Sequence, residues 1–233
     1  AVEYLRPFLE DPDEELRANT ARVFGDLKHL GAAPALIEAL SDDSLRVRHL
    51  AALALGEIGW PDSVPALVQC IDEIGDADPV LRHSAVMGLM GCASDETLAE
   101  LAGHESTHVQ MAVLLCYRRK GAAEIARFLS SEDPLLFSEA CRAVYDVPIE
   151  KALPSLAAQI SRADVPNAAC ARRILAANHR LGGAHRALEL ARIASEDTHQ
   201  EKFRIEALEL LADWGDAPGA DRFHGAWWPI AER

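Results

Sequence analysis

The chain has 233 residues, 49% of them hydrophobic but only 6% aromatic, and a formal net charge of −14. That charge excludes a broad nucleic-acid footprint, which needs a basic surface. No stretch approaches 18 consecutive apolar residues, so no membrane-spanning helix is expected, and a core poor in aromatics favours close helix packing over a β-sandwich.

Taken in chain order, the pattern is a repeat. Val2–Leu9 reads as a half-repeat. Helix pairs are expected at about 13–40, 43–74, 78–103, 105–130, 133–161 and 166–195, then a last helix at 198–214 and a tail at 215–233. In the second pair Val47, Leu50, Ala51, Ala54, Leu55 and Ile58 recur at steps of three and four, as do Val64, Leu67, Val68, Ile71 and Ile74. Each set marks one face of an α-helix. Period-two alternation is absent, so strand is not expected. Arg17, Arg48 and Arg82 recur at offsets of 31 and 34. Self-similarity at this period marks stacked helix pairs, each of which buries its apolar face only against its neighbours. The fold class is all-α, a right-handed α-solenoid read as one domain over 1–233. It opens on a working helix and ends in a Trp-rich tail, as the middle piece of a longer protein would.

The punctuation points the same way. Asp11-Pro12, Asp78-Pro79 and Asp133-Pro134 place a capping Asp before a proline that has no N–H to leave unpaired. Pro34, Pro65 and Pro154 open second helices. Gly25, Gly31, Gly56 and Gly59 are expected at or just after the ends of first helices, where a left-handed residue is wanted. Cys70, Cys92, Cys116, Cys141 and Cys170 show no C-x-x-C spacing, so each reads as a small core residue.

Two histidine patterns suggest metal chemistry. His104, Glu105 and His108 match H-E-x-x-H, whose two histidines share one helix face when they hold zinc. Aligned with Asp42 and Asp43, however, His104 and Glu105 fall in a turn, so His104 and His108 are weak metal candidates. His49 and His83 occupy equivalent positions, each after an arginine. This resembles deoxyhypusine hydroxylase, a family of HEAT-like di-iron enzymes with His-Glu pairs at such positions. The resemblance fails at Leu50 and Ser84, where carboxylates should stand, and an inter-repeat polar ladder with Asp42, Asp43 and Asp78 is expected instead.

Residues 41–59 resemble HEAT repeats of the phycobilisome-lyase-like type. Residues 171–182, 204–214 and 221–229 resemble the HEAT segment of planctomycete haem-binding, membrane-bound dehydrogenase-like proteins. That resemblance implies an exported or periplasmic redox protein whose propeller and cytochrome this array would join or space.

The resulting expectation is a non-catalytic scaffold with no catalytic residues and no cofactor. Its partners would be a protein or adjoining domains, with neither nucleic acid nor membrane insertion. Its concave face would present Glu38, Gln69, Asp72, Glu73, Glu100, Arg127, Gln159, Arg162 and Arg192, with Trp60, Trp227 and Trp228 as aromatic anchors. A metal-dependent enzyme using His104 and His108, or a chromophore-lyase-like protein, is the alternative.

Overall fold

Helices in this chain begin where a short oxygen-bearing side chain catches the unpaired N–H groups of the first turn. Asp78 accepts from Leu81 N at 2.7 Å, and Asp133 from Leu135 N and Leu136 N at 2.8 and 3.0 Å. Ser94 and Asn167 cap two further helices in the same way. At the first helix the cap is Asp13, whose side chain accepts from Glu15 N, and not the expected Asp11. Asp11 instead accepts the N–H of Asp13 at 2.9 Å, folding the turn that sets the cap in place.

The computed structural model describes residues 2–230, with side chains from residue 4 onward. The helices are α1 Glu14–Asp26, α2 Ala33–Ala39, α3 Leu45–Ile58, α4 Val64–Ile74, α5 Pro79–Cys92 and α6 Asp95–Leu101. They continue with α7 Thr107–Lys120, α8 Pro134–Asp146, α9 Leu153–Ala157, α10 Ala168–Leu181, α11 Ala184–Ser195 and α12 Glu201–Ala212. The described residues form an all-α array of stacked helix pairs without a strand; one isolated bridge joins Ala220 and Trp227 in the tail. No helix among them is long and apolar enough to cross a membrane.

First helices are regular and long, whereas several second helices are short or tighten into 3-10 geometry. Val2–Glu10 and Ala123–Ser130 are wholly 3-10, and α9 passes into a 3-10 turn at Ala158–Ser161. The expected last helix is trimmed to α12, and residues 231–233 of the expected tail lie outside the described residues.

The chain divides into two compact units, the first ending at Cys116 and the second beginning at Tyr117. In the first, α3 lies between α1 and α5. Phe24, Leu36, Leu55, Leu67, Ile71, Leu81 and Leu89 are buried there, each contributing about 1.5–3 kcal/mol of transfer free energy. In the second, α10 packs on α8, α9, α11 and α12. Leu175, Leu190, Ile193, Ala207 and Leu210 form a core cluster closed by Ile160, Phe203 and Trp214.

Gly25 and Gly56 are not helix terminators. They lie inside α1 and α3, where the absent Cβ lets helices touch through their backbones. A Cβ on Gly25 would fall 2.7 Å from Ala54 Cα, and one on Gly56 2.9 Å from Gly88 Cα. Gly59 does terminate α3, with φ +71°.

Replacing a mid-helix glycine by alanine ordinarily stabilises by about 0.5–1 kcal/mol. Gly56→Ala is expected to do the reverse, costing about 1–3 kcal/mol through overpacking. Gly103→Ala, whose Cβ would meet nothing nearer than 3.7 Å, serves as the tolerated control. Urea denaturation of both variants checks the difference in sign.

Candidate functional site

The side chains with chemistry in the first unit sit at the starts of first helices. Repeat stacking brings equivalent positions side by side there. Arg17 of α1 grips Asp42 with two hydrogen bonds of 2.8 Å and also donates to the carbonyl of Asp11 at 2.8 Å. Arg48 of α3 donates to the carbonyl of Leu40 at 2.7 Å, and Arg82 of α5 pairs with Asp76. Each arginine therefore ties its own helix to the chain just before or just after the pair.

The histidines complete this arrangement. His49 Nδ1 is in hydrogen-bond contact with Ser84 Oγ, and Ser84 is buried and also donates to Val80 O at 2.7 Å. Burial lowers the pKa of His49, His83 and Arg46 lower it further, and Val80 and Asp78 act against the shift. Position 84 thus serves as a partner that fixes the ring of His49, while His83 is exposed. Leu50 is a half-buried apolar residue in α3.

His104 and Glu105 lie in the turn before α7 and His108 in its first turn. His104 Nδ1 accepts from Ser106 N at 3.1 Å, the role an Asx side chain fills in a turn, and the ring of His108 covers Gly75. Among the described residues, no three His, Cys, Asp or Glu side chains form a group able to hold a metal.

The expected surface residues divide. Glu38 borders a groove of about 500 Å3 together with Leu9, Glu10, Asp11, Arg17 and Asp43. Gln69 donates to Glu73 at 2.7 Å, and Asp72, Glu73, Glu100 and Arg127 are exposed. Trp60 is half-buried in the turn before α4. Gln159 donates to Ser155 O, and Arg192 pairs with Glu189 and Glu196. Arg162 is turned inward as a tether. It donates to the carbonyls of Leu129 and Ser131 and lies 4.2 Å over the Phe137 ring.

The tail folds onto α8 and α10 through a residue that periodicity does not reveal. Asp221 is buried and accepts from Tyr145 Oη at 2.5 Å, Arg180 at 3.1 Å, and the N–H groups of Phe223 and His224. These donors outweigh burial and hold its carboxyl below the usual range, while burial foremost, with the Asp221 contact, pushes the Tyr145 phenol up. Trp228 packs edge-on against Tyr145, stacks on His224 and lies under Arg180 at 3.5 Å. Trp227 is 79% exposed, with its ring over Gly219.

Residues 2–90 match the HEAT-repeat family. The deoxyhypusine hydroxylase of Aspergillus clavatus is 40% identical over 91 residues, covering 38% of this chain and 27% of that protein. The Schizosaccharomyces pombe enzyme of the same name is 31% identical over 116 residues, 45% of this chain and 36% of that protein. The chain thus spans about a quarter to a third of the length of these curated relatives. Among solved structures, the CpcE–CpcF complex of phycocyanin lyase from Nostoc has a TM-score of 0.44 at 22% identity, covering 91% of this chain and 87% of that one. Human deoxyhypusine hydroxylase in complex with glycerol has a TM-score of 0.38 at 19% identity, covering 91% and 83%.

The match to curated enzymes overturns the expectation of a non-catalytic scaffold segment of a redox protein. The expectations of no enzymatic activity and no cofactor fall for the same reason, since the resemblance at His49 and His83 is to di-iron enzymes. No carboxylate follows either histidine, and the His49 ring is engaged by Ser84. This pair does not fit a di-iron site.

Arg17 holds Asp42 below the ordinary carboxylate pKa, chiefly through their hydrogen bonds. A depressed folded-state pKa stabilises above the unfolded value of about 3.9 and is lost as pH falls through the folded one. Asp42→Asn is therefore expected to lower the melting temperature at pH 7, with the gap to wild type closing below about pH 4. Thermal melts across pH test this. Removing the Asp221 carboxylate leaves the Arg180 cation buried without its partner, so Asp221→Ala should cost about 3–5 kcal/mol. Tryptophan fluorescence in urea, sensitive to Trp214 and Trp228, measures the loss.

Proposed function

We propose that this protein is a hydroxylase-type enzyme, related in activity to its curated relatives through the stretch of HEAT repeats it shares with them, in which the His49–His83 pair does not by itself make up a metal centre. The observation that carries this reading is the 40% identity over 91 residues with deoxyhypusine hydroxylase. In this reading the repeats of the first unit bind a protein, and the substrate is a side chain of that protein. His49 and His83 keep the imidazoles of the family pattern, whereas Leu50 and Ser84 have lost its carboxylates. The chain's own residues in this reading bind and orient. Arg17, Arg48 and Arg82 fix the helix starts, and Ser84 fixes the His49 ring.

The test uses the full-length gene product purified without chelator. Metal content by mass spectrometry and the gain of one oxygen atom by a deoxyhypusine-bearing protein are measured with and without iron(II). Iron-dependent oxygen gain is the expected result. A protein that retains no metal and gives no oxygen gain with iron(II) present overturns the proposal. His104→Ala/His108→Ala is expected to leave metal content unchanged, because His104 serves a turn and His108 covers a glycine.

A further inference from the structure

Helix α12 is apolar on two sides. Ala207 and Leu210 are buried, and Phe203, Leu211 and the following Trp214 pack with them on the core cluster of the second unit. On the opposite side Glu201, Ile205, Leu208 and Ala212 recur at steps of four, three and four, and all are exposed. Ile205 is 48% and Leu208 56% accessible. A helix face left to solvent is ordinarily polar, and apolar residues all round mark a helix covered on both sides. The outward stripe of α12 has the spacing of the two seam positions of a packed helix pair.

The charges beside the stripe indicate what covers it. Lys202 and Glu209 flank one edge and are both exposed. Lys202 Nζ lies 4.9 Å from the centroid of the neighbouring Phe203 ring. Glu209 and Asp213 share Arg222 of the tail at 2.6 and 2.8 Å, which sets two carboxylates against one guanidinium. This cluster is thus short of one positive charge, and Lys202 carries one at the other end of the same edge. The opposite edge is engaged, because Arg204 is held by Asp197 and the Ala194 carbonyl. A second α12 laid antiparallel answers each feature. Ile205 then faces Leu208 of the second copy, Glu201 faces Ala212, and Lys202 reaches Glu209, each contact made twice about a two-fold axis. Parallel pairing would set Glu201 against Glu201 and keep Lys202 away from Glu209.

We propose that two copies of this chain associate through this stripe, α12 against α12 in antiparallel two-fold pairing. Ile205 and Leu208 are the apolar anchors, and the Lys202–Glu209 pair fixes the direction. The same patch serves both copies, so the assembly closes at two. Each copy contributes one helix of 12 residues, which places the contact in the weak, reversible class. The charge of −14 on each chain opposes approach at low ionic strength and is screened beyond about 8 Å at physiological salt. This inference is independent of the hydroxylase reading.

The test is sedimentation velocity of the 233-residue chain at physiological salt, over about 5–500 µM, the range in which weak interfaces form. Wild type is expected to pass from monomer to dimer across that range. Leu208→Lys should raise the dissociation constant about tenfold or more. Lys202→Glu and Glu209→Lys should each weaken the dimer, and the two together, which exchange the charges, should return it to within about threefold of wild type. These side chains are exposed, so helix content measured by circular dichroism should hold, and Ile205→Lys replaces Leu208→Lys if it does not. A monomer at every concentration, assemblies larger than two, a Leu208→Lys protein that dimerises like wild type, or a double variant no tighter than the single ones overturns the proposal.

Discussion

The first unit depends on how closely α3 can approach its two neighbours. Along that seam the contacts are backbone on backbone. Gly25 meets Ala54, Gly56 meets Gly88, and Gly91 is pressed on the Gly56 carbonyl. Side chains of ordinary size would hold these helices at the 8–10 Å typical of helix pairs. Without them the larger residues flanking the seam, Leu55, Leu67 and Leu89, close over it and are fully buried. The arginines and the His49–Ser84 contact then fall into place at the helix starts, because the seam has set the spacing between first helices.

Much of the fold was legible in the sequence because helix periodicity and capping are local. The repeats of apolar residues, the Asp78 and Asp133 caps and the left-handed Gly59 all appear where the pattern put them. The misreadings involve residues that have two physical uses. Glycine ends helices and also lets them touch, and only the tertiary partner shows which use applies at Gly25 and Gly56. An Asp-Pro pair caps a helix or folds the turn ahead of one, and Asp11 does the second. The 3-10 character of the second helices has no counterpart in periodicity, since three- and four-residue spacings overlap over a single turn.

The candidate sites were legible only in part. A di-iron resemblance at His49 and His83 and its failure at Leu50 and Ser84 can both be read from one line of sequence. What Ser84 does for His49 cannot, because the contact joins residues 35 apart. Asp221 gave no signal at all. It lies in an aperiodic tail, and its partners Tyr145 and Arg180 come from two different helices.

The tail also changes where this unit of structure ends. Judged by helices, the second unit would finish at Ala212. Its buried charge lies beyond that point, and the aromatic lid over Arg180 comes later still, at Trp228. A truncation after α12 would leave intact helices yet open a cationic, desolvated hole in α10. The usable C-terminal boundary of this unit therefore lies past Trp228, set by an ion pair and an indole.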